Sequence, residues 1–172
     1  MKKDKLDKDF IEASKLLDNG NYKKALKLFL KLYKHGHKDI YLNIGYIYEK
    51  LNKIKKAKYW YKKGISKNKD FTCMTNLAIL YREEYKFKKA KKWFLEALSL
   101  NDVDAGLELA KLYLSEAKIN KAKEYLSKVL DGIPCENVTL ESVNIAKKLM
   151  YRLDKDFEEA SKLLDNSNYK KA

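Results

Sequence analysis

Few residues in this 172-residue chain are of a type and spacing that could do chemistry. His35 and His37 flank Gly36, and two imidazoles so close together could share a metal. A structural or catalytic metal site needs three or four ligands, and no cysteine or further histidine lies nearby, so the trio reads as a helix-ending turn. Cys73 and Cys135 are the only thiols and stand far apart, which indicates neither a disulfide framework nor a redox pair and points to a reducing, cytoplasmic setting. The sequence has no glycine-rich phosphate loop, no Gly-x-Ser-x-Gly and no histidine pair on a helix face. Its carboxylates are scattered among lysines, where ion pairing is their expected role. Catalytic residues, metal ligands and cofactors are accordingly expected to be none.

What remains chemically is charge. The net charge of +14 raises the question of nucleic acid, and the placement of the lysines bears on it. Lys55, Lys56, Lys58, Lys62 and Lys63, and then Lys86, Lys88, Lys89, Lys91 and Lys92, fall between the apolar positions of amphipathic segments, which assigns them to a solvated face. A surface that tracks phosphates would interleave aromatics or amides with those cations, whereas Trp60 and Trp93 read as packing residues. The apolar runs are only a few residues long, far short of the roughly 20 that span a bilayer, so no membrane segment is expected. Met1-Lys2-Lys3-Asp4-Lys5 is basic but has no apolar core after it, unlike a secretory signal.

The elements that must position these side chains announce themselves by repetition. Tyr41-x2-Ile44-Gly45-x2-Tyr48 followed by Ala57-x3-Tyr61 returns as Met74-x2-Leu77-Ala78-x2-Tyr81 with Ala90-x3-Phe94. It returns again as Gly106-x2-Leu109-Ala110-x2-Tyr113, Ala122-x3-Leu126 and Pro134, and Ala25-x3-Phe29 opens the series. Ala25, Ala57, Ala90 and Ala122 are spaced by 32, 33 and 32 residues, a fixed period that signals a solenoid of helix-turn-helix units. Gly45, Ala78 and Ala110 are small where two helices of a hairpin cross at roughly 8–10 Å. Tyr22, Ile54, Phe87 and Ile119 each precede an alanine by three residues and should anchor the second helix to the first.

Over about Asp9 to Pro134 this pattern resembles the tetratricopeptide repeat family. The resemblance implies an all-α fold, a right-handed α-α superhelix of stacked helix-turn-helix repeats, with first helices lining a concave surface and the lysine-rich second helices on the convex side. It also implies a non-enzymatic scaffold that binds a peptide or helix of another protein in that groove. First-helix residues not used in packing are then the candidates: Asn43, Tyr46, Glu49 and Lys50; Asn76, Ile79, Arg82 and Glu83; Glu108, Lys111 and Ser115. Asn43 and Asn76 recur at one register position, where amides either hold the backbone of an extended peptide or bridge neighbouring helices. Some family members grip a terminal carboxylate with cations, but Asp104 and Glu108 stand in those places here. The alternatives are nucleic-acid or acidic-surface binding through the convex lysines, which the charge placement does not favour, and a self-assembling structural array.

The organisation expected along the chain is a single solenoid over 1–172, with units at about 6–38, 39–70, 71–102 and 103–136, an irregular helix at 137–152, and a last segment at 153–172. Asp9, Asp39 and Asp70 read as helix N-caps, and Asn19-Gly20-Asn21, Asn52-Lys53 and Tyr85-Lys86 as turns within hairpins. Nine helices are expected up to Arg152, at about 9–18, 22–33, 40–51, 54–66, 71–84, 87–99, 104–116, 119–130 and 139–152. The last segment, Leu153 to Ala172, repeats Leu6 to Ala25 at 18 of 20 positions, differing only at Ile11 against Glu158 and Gly20 against Ser167. This near-identity suggests one copy of a longer tandem array, with the sequence as an excised piece. An odd number of helices per copy would make Asp9 to Asp18 a second helix lacking its first, and Asp156 to Ala160 the start of another. Phe10, Ala13, Leu16 and Leu17 would then be partly uncovered, and head-to-tail self-association would follow.

Overall fold

The fold follows from the small residues at helix crossings and from the turns between them. In a computed structural model the described residues are 2–37, 40–131 and 140–168. They contain nine α-helices and no strand. These are α1 (Lys2–Asp18), α2 (Tyr22–Lys34), α3 (Tyr41–Lys50), α4 (Ile54–Asn68), α5 (Phe71–Glu83), α6 (Phe87–Ser99), α7 (Val103–Ser115), α8 (Ile119–Asp131) and α9 (Leu140–Asn168). They divide into two compact units, residues 1–84 and 85–172. Asp39, Pro134, Cys135, Thr139 and the stretch 169–172, all used in the sequence reading, lie outside the described residues.

In the first unit α1 packs on α2, α3 on α4, and α4 on α5. At the α3/α4 crossing a Cβ on Gly45 would lie 2.4 Å from a ring carbon of Tyr61, so hydrogen is the only side chain that fits without movement. Ala13, Ala57 and Ala78 are wholly buried. Gly64 does the same work between α4 and α5, where its Cβ would come within 2.7 Å of the Cys73 sulfur. Trp60 fills the space beside it, its ring 4.9 Å from Tyr33 and 6.3 Å from Tyr41. This confirms Trp60 as a packing residue that joins consecutive hairpins.

In the second unit α6 packs on α7, α7 on α8, and α8 on α9. A core of Val103, Leu107, Ala110, Leu126, Val129 and Ala146 is closed by Ile145, Leu149, Met150 and Leu153 of α9. Gly106 occupies a position filled by a large residue in other units because Val129 stands against it, 3.1 Å from where a Cβ would be. Of the four anchors, Tyr22, Ile54 and Phe87 are half-buried in their units, but Ile119 is 49% exposed, opening onto a hollow it shares with Leu153 and Phe157.

Turn geometry repeats with the same period. Gly20, Asn52, Tyr85 and Ala117 all have positive φ, between 54° and 71°, and are 32, 33 and 32 residues apart. At Gly20, Asn52 and Ala117 the flanking amides bond back in the Schellman pattern: Asn21 N–H to Leu16 C=O, Lys53 to Tyr48, and Lys118 to Tyr113, at 2.8, 2.8 and 2.9 Å. Gly36, Lys69 and Asn101 repeat the positive φ after the second helices. Asp70 caps α5 by accepting from Cys73 N–H at 2.9 Å, as expected, and Asp102 caps α7 through Ala105 N–H.

Three expectations are corrected. Asp9 is not an N-cap: α1 begins seven residues earlier, since nothing between Lys2 and Phe10 breaks a helix, and Asp9 instead accepts a hydrogen bond from Lys31 of α2 at 2.8 Å. Nor is α1 a second helix. Ala13 is the crossing residue of a first helix, 32 residues before Gly45, and is fully buried, while Phe10, Leu16 and Leu17 are half-buried. Finally, the helix expected to end at Arg152 runs on to Asn168, because Arg152 to Asp156 contains neither Gly nor Pro. The second half of α9 is thus the counterpart of α1, and the count per sequence period becomes eight helices, which is even.

Candidate interaction surface

On each first helix the residues at i, i+3 and i+7 avoid the core. In the first unit they are Asn43, Tyr46 and Lys50 on α3, and Asn76, Ile79 and Glu83 on α5. Tyr46, Lys50 and Glu83 are exposed, while Asn43, Asn76 and Ile79 are half-buried. The Lys50 ammonium lies over the Tyr46 ring at 4.9 Å, and this contact with Tyr46 raises the lysine pKa. The sequence reading missed the counterpart on α1. Stepping back 32 residues from α3 gives Ile11, Ser14 and Asp18, of which Ile11 is 54% exposed. The signal was present in the register of Ala13 against Gly45.

Not every candidate is available. Glu49 is half-buried and accepts a hydrogen bond from the Tyr61 hydroxyl at 2.8 Å, so it belongs to the α3/α4 crossing. Burial, followed by the charge of Glu49, pushes the Tyr61 phenol far up and keeps that donor protonated. Arg82 is half-buried near the end of α5. In the second unit, Glu108 and Lys111 pair with each other at 2.6 Å, and the Ser115 hydroxyl donates to the Leu112 carbonyl. Asp104 is half-buried, with one carboxylate oxygen enclosed and unpartnered.

The lysine face also changes on inspection. Lys58, which follows the crossing alanine of α4, reaches the Tyr81 ring at 5.4 Å and hydrogen-bonds Glu84 at the end of α5. Lys91, 33 residues later, lies 4.8 Å over the Tyr113 ring and bonds Glu116 at the end of α7 at 2.7 Å. Lys123 occupies the same register on α8 and bonds Asp154 of α9 at 2.6 Å. Lys58 and Lys91, expected among the solvated ones, and Lys123 with them, pin one hairpin to the next helix. Glu84 and Glu116 are helix C-caps, where the backbone dipole disfavours an anion, and the lysine offsets that cost. Lys118 and then Lys91, through their hydrogen bonds, hold the Glu116 carboxyl below the usual glutamate range. Lys63 is likewise engaged, donating to the Tyr33 hydroxyl.

The thiol and imidazoles have structural duties. Cys73 is buried against Gly64, and burial, followed by the charge of Asp70, pushes its thiol up, away from the nucleophilic thiolate. His35 Nδ1 lies 2.8 Å from the Lys31 carbonyl, to which it donates when protonated, and the His37 ring stacks on Phe10 at 5.1 Å. Among the described residues, no three His, Cys, Asp or Glu side chains gather to hold a metal, and no helix is long and apolar enough to cross a membrane.

Paired helices with small residues at a 32- to 33-residue period define a helical-repeat protein. Two tetratricopeptide repeat families match the sequence, one over residues 38–70 and the other over 71–101, and the chain is a tetratricopeptide repeat protein. No curated protein matches it in sequence. Among solved structures it is similar to Pseudomonas aeruginosa pilF, with 20% identity, a TM-score of 0.73, and coverage of 92% of this chain and 72% of that one. It is also similar to BtubC from P. vanneervenii, with 19% identity, a TM-score of 0.70 and coverage of 91% and 76%. A third is MamA from Desulfovibrio magneticus RS-1, with 18% identity, a TM-score of 0.62 and coverage of 73% and 74%. Such likenesses carry the fold alone, and that fold is the all-α repeat expected from the sequence.

Proposed function

We propose that the protein is a non-enzymatic interaction scaffold that takes a peptide or helix of a partner protein along its first helices. The observation that supports this is the composition of one register stripe in the first unit. Ile11, Tyr46 and Ile79 supply apolar surface, Asn43 and Asn76 supply amides, and the charges of Asp18, Lys50 and Glu83 are mixed in sign. That stripe differs from the second helices, whose outer positions are dominated by lysine. An amphipathic helix or an extended segment with spaced apolar side chains suits such a surface.

The test is selection of binding peptides from a display library on the folded protein, followed by affinity measurements on variants. Tyr46→Ala combined with Ile79→Ala should abolish binding, with circular dichroism confirming the fold. Charge reversal at Lys62, Lys89 and Lys92 should leave it intact. Affinity should fall only shallowly with salt. The opposite pattern, with loss on lysine reversal and a steep salt dependence, would refute the groove in favour of a phosphate-bearing or acidic ligand.

A further inference from the structure

The Lys63 ammonium sits in a box of aromatic rings. It lies 4.5 Å from the centre of the Tyr33 ring, 5.2 Å from Trp60 and 5.6 Å from Tyr59, distances at which a ring face attracts a cation. Tyr33 and Tyr59 stand nearly perpendicular to Trp60, at 89° and 86°, so two walls rise from one floor. Tyr59 and Trp60 precede Lys63 by four and three residues, which gathers them on one side of α4, and Tyr33 reaches them from the end of α2. The floor is fixed, because Trp60 is buried and backed by Tyr41, while the Tyr59 wall is 58% exposed and opens to solvent.

Repeat packing does not require this box. The floor position recurs with the period as Trp60, Trp93 and Tyr125, as a packing residue should. The other positions do not recur: Tyr33, Tyr59 and Lys63 become Ile65, Lys92 and Glu96 one period on, and Leu98, Glu124 and Lys128 after that. The bond that holds Lys63 is also weaker in kind than those of the hairpin-pinning lysines. Lys58 and Lys91 bond carboxylates, whereas Lys63 donates to the uncharged Tyr33 hydroxyl. A primary ammonium is strongly hydrated and gives up water to enter a cage of rings. A quaternary ammonium, with no N–H to hydrate, suits such a cage better.

We propose that Tyr33, Tyr59 and Trp60 form a binding site for a quaternary ammonium group, and that Lys63 is the chain's own stopper in it. The tether to α4 gives the lysine a high local concentration, and a ligand cation competes by displacing it outward past Tyr59. Such a group is carried by a free small molecule or by a trimethylated lysine of a protein. The site lies on second helices, so it stands independently of the first-helix stripe.

The test follows Trp60 emission in a Trp93→Phe background, titrated with choline chloride against ammonium chloride at constant ionic strength. Choline should give a saturable change that ammonium does not. Lys63→Ala and Lys63→Gln, each checked by circular dichroism, should tighten choline binding several-fold, since the tethered competitor is gone. Adding Tyr59→Ala to either should abolish it, while Tyr46→Ala on the first-helix stripe should leave it unchanged. A short peptide bearing one trimethyllysine, titrated alongside, assigns the source: tighter binding than choline means a protein side chain, and equal or weaker binding means a free cation. No saturable response in either Lys63 variant, an equal response to ammonium, or a response that survives Tyr59→Ala would overturn the inference.

Discussion

Gly45→Ala adds one carbon to the most crowded helix crossing of the first unit. The new Cβ would stand 2.4 Å and 2.5 Å from two ring carbons of Tyr61, about 1 Å inside ordinary contact. Tyr61 cannot swing aside cheaply, since it is wholly buried and its hydroxyl is held by Glu49. Overpacking of this kind costs roughly 1–3 kcal/mol. Replacing a mid-helix glycine by alanine returns about 1 kcal/mol through helix propensity. The net expectation is a loss of up to about 2 kcal/mol, seen in urea denaturation as a lower midpoint with unchanged slope and in calorimetry as a Tm lower by up to roughly 8 °C. Gly45→Leu should cost several kcal/mol more. The decisive measurement is Gly45→Ala in a Tyr61→Leu background. With the ring gone only the propensity gain remains, so the sign should reverse and the alanine should be neutral or stabilising by up to about 1 kcal/mol. Should Gly45→Ala stabilise the parent protein, or destabilise it equally without the tyrosine ring, the assigned crossing would be wrong.

Ala117 has φ of 57° in a turn whose counterpart three periods earlier is Gly20, so Ala117→Gly should raise stability by about 1 kcal/mol by thermal unfolding, although glycine loosens the unfolded chain. Glu116→Gln should remove the Lys91 and Lys118 pairing and cost up to about 1 kcal/mol at neutral pH. Because the folded pKa of Glu116 lies below the unfolded value of ~4.3, its contribution is complete above that value and lost as pH falls through the folded one. The gap between parent and Glu116→Gln in urea titrations should therefore close on acidification, and a gap that persisted at pH 2 would exclude the ion pair as its source. Cys73 should react with a maleimide only on the timescale of local opening, and Gly64→Ala, which crowds its sulfur, should speed that reaction.

How much of this was legible in the sequence depends on whether a residue's role is local in the repeat or shared between repeats. The crossing residues Gly45, Ala57, Ala78 and Ala90 could be read directly, because their constraint recurs at each period and allows few residue types. Lys58 and Lys91 could not be read in the same way. Each lies on the polar side of its own helix and looks solvated until the next hairpin brings Glu84 or Glu116 to it. Periodicity within a helix reports one face against one core, and it is blind to a partner some 25 residues ahead. The trace such a pair leaves is its own recurrence: lysine directly after the alanine, with tyrosine and glutamate following at distances that differ by one residue between the two hairpins. Glu49 illustrates the converse. It sits beside the exposed stripe by sequence, yet the Tyr61 hydroxyl claims it, because a buried phenol must find an acceptor. The same reasoning applies to α1. Taken alone, Asp9-Phe10-Ile11-Glu12-Ala13 resembles the opening of a second helix, whereas the 32-residue step from Ala13 to Gly45 makes it a first helix.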